Sequence, residues 1–141
     1  MIMSESSHKQ IVGCVLEFEG RFVLLHRLPH KPDGDTWGLP GGKVETSETR
    51  EAAIIRELYE ETGYRATLSD LEYLGRFPFR SPTLDEVFDY STYRVSLSSP
   101  HTVVLERHAH SEAIWVTAEE ADARSDLIFG LHELFRLVHL L

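Results

Sequence analysis

Residues 49–62 contain neither Gly nor Pro and are rich in helix formers, and Gly63 stands where a helix would stop. The spacing predicts one helix there, entered from the Gly41-Gly42 turn. At about 100° per residue, Ala52, Ile54, Ile55, Leu58, Tyr59 and Thr62 fill one broad arc, while Glu57, Glu60 and Glu61 gather on the other side. One face is expected in a core and the other is acidic. Glu51 falls within the apolar arc but lies in the first turn, where a carboxylate favours the positive helix end.

Around this helix the pattern is mostly β. Residues 11–18 and 21–27 are β-rich runs separated by Glu19-Gly20, which suits a hairpin, and the following segment carries Pro29, Pro32 and Gly34, as a loop would. Residues 71–79, 86–97 and 113–116 read as further strands. Residues 117–123 read as a short helix and residues 131–141 as a final amphipathic one. Strands on both sides of a central helix, with a helix at the end, predict an α/β (α+β) fold, an α/β/α sandwich around a central mixed β-sheet. The 141 residues fit one domain, expected over residues 10–141 behind a polar tail at 1–9.

The formal net charge of -9 argues against a broad basic face, so no stable nucleic acid complex is expected. A small polyphosphate is compatible with it when divalent cations stand between ligand and protein. The single cysteine, Cys14, sits in an apolar run and reads as a buried strand residue. Residues 1–10 lack the apolar stretch of a secretory signal, and no run approaches the roughly 20 apolar residues needed to span a bilayer. No membrane partner and a cytoplasmic location are the expectation.

Three carboxylates at i, i+3 and i+4 repel one another along one side of a helix. By themselves Glu57, Glu60 and Glu61 most often mean a solvated surface, with Arg56 offsetting part of the charge. Their neighbours change that reading. Hard divalent cations take oxygen ligands, glutamates one helical turn apart can converge on such an ion, and a glycine turn before the helix lets backbone approach metal or phosphate.

Gly42, five residues, Glu48, seven residues, then Arg56-Glu57-Leu58-Tyr59-Glu60-Glu61-Thr62-Gly63-Tyr64 resembles the Nudix box, with every fixed position filled. The resemblance implies a Nudix-type sandwich and a hydrolase that cleaves a pyrophosphate bond with water, using Mg²⁺ or Mn²⁺ as its substitute. It implies Glu57, Glu60 and Glu61 as metal-binding glutamates, with Glu57 also activating the water and Gly41 adding its carbonyl. Arg56 and Glu48 are implied to orient and pair with the catalytic carboxylates. The chemistry is direct attack of water on phosphorus, with the metal lowering the water's pKa and screening phosphoryl oxygens.

Outside the box, Arg27 at the end of the second strand resembles the phosphate-contacting arginine of nucleotide triphosphatases, and Arg76 and Arg80 are weaker versions of the same idea. Phe79, with Phe77, Phe88, Tyr90 and Tyr93, either stacks on a base or fills the core, and strand aromatics more often do the second. His108, His110 and Glu112 alternate before Trp115, so on an extended backbone they would point one way. Of these, Glu112 resembles the loop carboxylate that many Nudix enzymes add to the metal cluster. Residues 115–121 resemble the tail of dinucleoside polyphosphate hydrolases, whereas residues 37–42 are closer to the nucleoside triphosphate group. A MutT-like nucleoside triphosphate hydrolase is therefore the first expectation, followed by a dinucleoside polyphosphate or nucleotide-sugar hydrolase. A non-catalytic Nudix-fold ligand-binding module comes last. The partner expected is a small nucleotide, with a homodimer left open.

Overall fold

The computed structural model describes residues 7–82 and 84–141. Strand β1 (Ser7–Phe18) begins earlier than the apolar pattern indicates, because its first residues pair with β6 (Glu86–Ser96) in a parallel ladder from Ser7↔Glu86 to Glu17↔Ser96. Residues 7–9, expected in a polar tail, are thus strand; the rest of that expected tail, 1–6, lies outside the described residues.

The other pairings are antiparallel. β1 is flanked on its second edge by β4 (Gly41–Lys43) and, at its far end, by β2 (Arg21–Arg27). β2 pairs with β3 (Trp37–Gly38) and with β7 (His110–Val116), and β6 pairs with β5 (Glu72–Arg80). The short strands β3 and β4 lie in a segment that reads from sequence only as a glycine-rich turn. Their pairing comes from distant partners, which local pattern does not carry.

Helix α1 (Arg50–Thr62) has the predicted ends: the Thr49 side chain accepts the Ala52 N–H, and Gly63 closes the helix in the left-handed region at φ 78°. Ala53, Ile54 and Leu58 pack on one face of the sheet against Val12, Cys14, Leu16, Val23, Leu25, Tyr93 and Val95. On the other face, α2 (Ala118–Asp122) and α3 (Leu131–Leu137) cover Val15, Phe22, Leu24 and Trp37 with Ala121, Leu131, Leu134 and Phe135. Helices on both faces of a mixed sheet make the α/β/α sandwich expected. Each fully buried leucine or isoleucine of these layers contributes about 1.5–3 kcal/mol.

The orientation of α1 differs from the helical-wheel expectation. Ala52 and Tyr59 are exposed, while Glu61 is buried at 7% exposure beside Leu58 and Thr62. The wheel assumes that an acidic arc faces water. Here the glycines of β4 open a polar seam along the sheet, and the helix rolls Glu61 into it. Glu51 is retained near the core by Tyr93, whose O–H donates to Glu51 Oε2 at 2.6 Å. Cys14 is fully buried, and burial pushes its thiol up to about 12, so it stays a neutral packing residue.

Candidate active site

Arg56 organises the acidic cluster. Its Nε and Nη2 donate to the two oxygens of Glu48 at 2.8 and 3.0 Å, and its Nη1 donates to Glu57 Oε1 at 2.9 Å and Glu60 Oε1 at 3.1 Å. The same Nη2 donates to the Lys43 carbonyl at 3.1 Å, tying α1 to β4. This fork holds Glu48 well below the ordinary carboxylate range, at about 2, and raises the pKa of Arg56 itself.

Glu57 and Glu61 are held differently. Burial raises the Glu57 carboxyl against the pull of Arg56, and Glu60 and Glu106 add to the rise. Glu61 accepts the Gly41 N–H on Oε1 at 2.8 Å, yet burial carries its carboxyl up to about 8, with Glu57 and Glu106 raising it further and Arg27 opposing. A carboxylate buried this far lacks compensating positive charge.

Two glycines create the space. A Cβ on Gly42 would lie 2.5 Å from the Glu57 Oε1 and 2.8 Å from its Oε2, so that carboxylate occupies the volume a side chain would take. A Cβ on Gly41 would meet the Val12 backbone carbonyl instead. β4 therefore presents bare backbone to the carboxylates of α1.

Among the described residues, no three acidic or imidazole side chains converge on one point. Glu57 and Glu60 turn to Arg56, and Glu61 turns to the Gly41 amide. The donor set nevertheless fits a hard divalent cation: carboxylate oxygens on successive turns of one helix, one of them buried and raised for want of positive charge. Glu57, Glu60 and Glu61, with the Gly41 carbonyl, are the groups that would hold it.

Of the residues expected outside the box, Arg27 and Phe79 line a cavity of about 430 Å³ together with Gly41, Gly42 and His110. Arg76 lies off it, on β5, paired to Asp89 at 3.4 Å. Phe88 and Tyr90 also line the cavity, whereas Tyr93 is core and Phe77 packs under the second helical layer.

The alternating pattern at 108–112 does not survive. Residues 110–112 are strand, not loop, and the β2–β7 register shifts between His26↔Glu112 and Arg27↔His110, leaving Ser111 as a bulge. The bulge sends His110 to the α1 side with Arg27, its Nδ1 4.0 Å from Glu61 Oε2. Glu112 stays opposite His26, in the alternation that carries Ile114 into the α2–α3 layer, and points away from the cluster. The loop acid whose charge bears on the cluster is Glu106, in the segment between β6 and β7, which raises both Glu57 and Glu61. Its only sequence signal is an isolated acid in a long loop.

His110 is buried, and its Nδ1 has no hydrogen-bond partner among the described residues. Burial lowers its pKa to about 4, with Arg27, His26 and Lys31 adding to the effect, so the ring is neutral at pH 7.

Known proteins resemble this chain in sequence and in fold. The sequence profile of the NUDIX domain family matches residues 7–138. The CTP pyrophosphohydrolase of Escherichia coli K12 is 28% identical over 116 residues, covering 79% of this chain and 78% of that protein. An 8-oxo-(d)GTP phosphatase of Mycolicibacterium smegmatis is 43% identical over 53 residues, 38% of this chain but only 16% of that longer protein. The crystal structure of a MutT protein from Methanosarcina mazei superposes with a TM-score of 0.84 at 24% identity, covering 97% of this chain and 96% of that one, which establishes the shared fold. With the family profile spanning nearly the whole chain and the box residues assembled on α1 and β4, the protein belongs to the NUDIX domain family and is a Nudix hydrolase.

Proposed function

We propose that the chain hydrolyses a nucleoside triphosphate at a pyrophosphate linkage, with Mg²⁺ as the resident cation and Mn²⁺ as a substitute. The observation that carries this reading is the cavity of about 430 Å³, which has Arg27, Gly41, Gly42 and His110 beside the carboxylates and Phe79, Phe88 and Phe129 along its walls. A charged end beside the carboxylates and aromatic rings along the walls suit a ligand with a polyphosphate and a base. Two relatives carry names that describe action on nucleoside triphosphates or their oxidised forms.

A divalent cation bound by Glu57, Glu60, Glu61 and the Gly41 carbonyl would supply charge to the phosphoryl oxygens and acidify the attacking water. Glu57 takes the proton of that water, its basicity maintained by burial and its direction set by Arg56. Arg56 and Glu48 act as positioning residues. Arg27 anchors a phosphate oxygen: it lines the cavity, and the hydrogen bond from its Nε to the Pro32 carbonyl at 2.7 Å holds the guanidinium at the cavity wall.

A dinucleoside polyphosphate or nucleotide sugar draws less support. The run 115–121 that suggested it is explained by its local structure, a capping box in which Thr117 and Glu120 exchange backbone hydrogen bonds at the start of α2. Among the described residues, no helix is long and apolar enough to cross a membrane, and a cytoplasmic site of action is part of the proposal.

The test is turnover of a panel of nucleoside triphosphates, dinucleoside polyphosphates, ADP-ribose and nucleotide sugars in ¹⁸O-labelled water with Mg²⁺, products identified by mass. One label in one phosphate product of a triphosphate is expected. Turnover of dinucleoside polyphosphates alone would move the reading to that class, and no turnover at all would leave a ligand-binding module.

A further inference from the structure

The cavity contains a second charged feature that the hydrolytic chemistry does not use. Lys9 Nζ lies 3.3 Å from Glu86 Oε1, and both side chains line the cavity with only 32% and 21% of their surface exposed. The pair links the beginnings of β1 and β6, residues 77 apart in sequence, and stands beside Phe88, the residue opposite Lys9 in the parallel ladder.

Its position relative to the carboxylates follows from register. Gly41 pairs with Gly13 and Lys43 with Ile11, so Lys9 lies four residues along β1 from the Gly13 position, about 13 Å at strand rise. Tyr90, opposite Ile11, stands between the two ends, while Phe88, opposite Lys9, and Phe79, opposite Phe88, stand at the Lys9 end. Phe88 and Phe129 stand with centroids 5.6 Å apart, and Phe79 meets Tyr90 edge to face at 6.5 Å. A ligand whose phosphates lie at Arg27 and Gly41 therefore has its base along these rings and its outer edge at Lys9 and Glu86.

We propose that Lys9 and Glu86 read the hydrogen-bonding edge of the base and select guanine, which rests on the nucleotide reading above. Glu86 is acceptor-only and Lys9 is donor-only. Side by side they complement an edge that places a carbonyl next to adjacent N–H donors. Guanine offers O6 to Lys9 and its N1–H and N2–H together to the Glu86 carboxylate. Adenine and cytosine each offer a single amino group to Glu86. Uracil flanks its one N–H with carbonyls that the carboxylate repels.

The test separates base reading from catalysis by measuring equilibrium binding of GMP, AMP, CMP and UMP, alongside kcat/KM for GTP, ATP, CTP and UTP with Mg²⁺. Wild-type protein, Glu86→Gln and Lys9→Met are compared, each checked by thermal melting, so that either variant serves if the other fails to fold. The wild type is expected to bind GMP at least tenfold more tightly than the other three. Glu86→Gln should lose about 10- to 100-fold for GMP and GTP, with less than about threefold change for UMP and UTP. Lys9→Met should narrow the guanine preference in the same direction. Equal binding of all four bases by the wild type, or an unchanged preference in folded variants, overturns the assignment and leaves a surface ion pair. Triphosphate turnover without base preference sinks this inference alone. GMP selectivity lost in Glu86→Gln, with no triphosphate turnover in the wild type, supports the base assignment and sinks the hydrolytic substrate instead.

Discussion

The carboxylate of Glu57 fills the space that a side chain at position 42 would need, its Oε1 2.5 Å from where a Cβ on Gly42 would stand. The atoms in conflict are the end of a flexible side chain rather than backbone. Gly42→Ala is thus expected to leave melting nearly unchanged but push Glu57 aside, lowering kcat by about 10²-fold, as a displacement of an ångström or so at a reacting group does. Gly41→Ala is the contrast, because its Cβ meets the Val12 carbonyl and disrupts the β1–β4 pairing. It should fail mainly in stability. Comparable kcat for Gly42→Ala and wild type would remove Glu57 from the reacting position.

Glu61 sets activity against stability. Its folded carboxyl is raised by burial to about 8 from an ordinary 4.5, so between those values the folded protein retains a proton that the unfolded chain releases. The cost to stability is absent below about 4.5, grows as pH rises, and levels off above about 8. Glu61→Gln keeps an acceptor for the Gly41 N–H without the charge. In the absence of metal at pH 7 or above it should be more stable by roughly 1–3 kcal/mol in urea titrations, and inactive. A less stable variant would show that the buried charge is compensated in a way the geometry does not indicate.

Much of this site is legible in the sequence because its parts are local. The ends of α1, the Arg56 fork to Glu57 and Glu60, and the glycine turn all lie within about twenty residues, and capping chemistry marks the helix boundaries unaided. What the pattern misses depends on distant partners. Glu61 is buried because β4 meets the helix, which a helical wheel does not contain. Glu112 and His110 part company because one bulged residue in β7 resets the alternation. Lys9 and Glu86 meet only through a parallel ladder between strands far apart in the chain.

The bulge bears on only one of the two acids after β6, Glu112, which it leaves on the face away from α1. Glu106 influences Glu57 and Glu61, whereas Glu112 shares its sheet face with His26 and Ile114. Glu106→Gln should lower kcat by about tenfold or more and raise the Mg²⁺ concentration needed for half-maximal rate, while Glu112→Gln stays within about twofold of wild type. Steady-state kinetics across a Mg²⁺ titration checks both. The reverse ranking would mean that β7 rearranges when substrate binds.

Acid should unfold the protein partly through Glu48. Arg56 holds that carboxyl at about 2 against an ordinary 4.5, a depressed value, so its contribution is present above about 4.5 and disappears as pH falls toward 2. Glu48→Gln lacks this titration. The stability difference between wild type and variant, measured by urea unfolding, should therefore shrink steadily from pH 5 to pH 2. A constant difference across that range would separate the pair from acid lability.

Metal binding should release a proton. A cation held by Glu61 must displace the proton that burial keeps there below about pH 8, and Glu57 is raised in the same direction, so the apparent affinity of the free protein is expected to climb with pH. The slope approaches about tenfold per pH unit for one proton and flattens above pH 8. Titration calorimetry with Mn²⁺ in two buffers of different ionisation enthalpy reads the proton directly: heats should differ at pH 6.5 and converge at pH 9. The fold does not depend on the ion, since α1 is capped by Thr49 and Gly63 and packed through Ala53, Ile54 and Leu58. Chelation should therefore abolish turnover and leave circular dichroism nearly unchanged. If affinity were flat from pH 6 to pH 8, either the Glu61 carboxylate would already be ionised before the cation arrives or Glu57 and Glu60 would carry the binding without it.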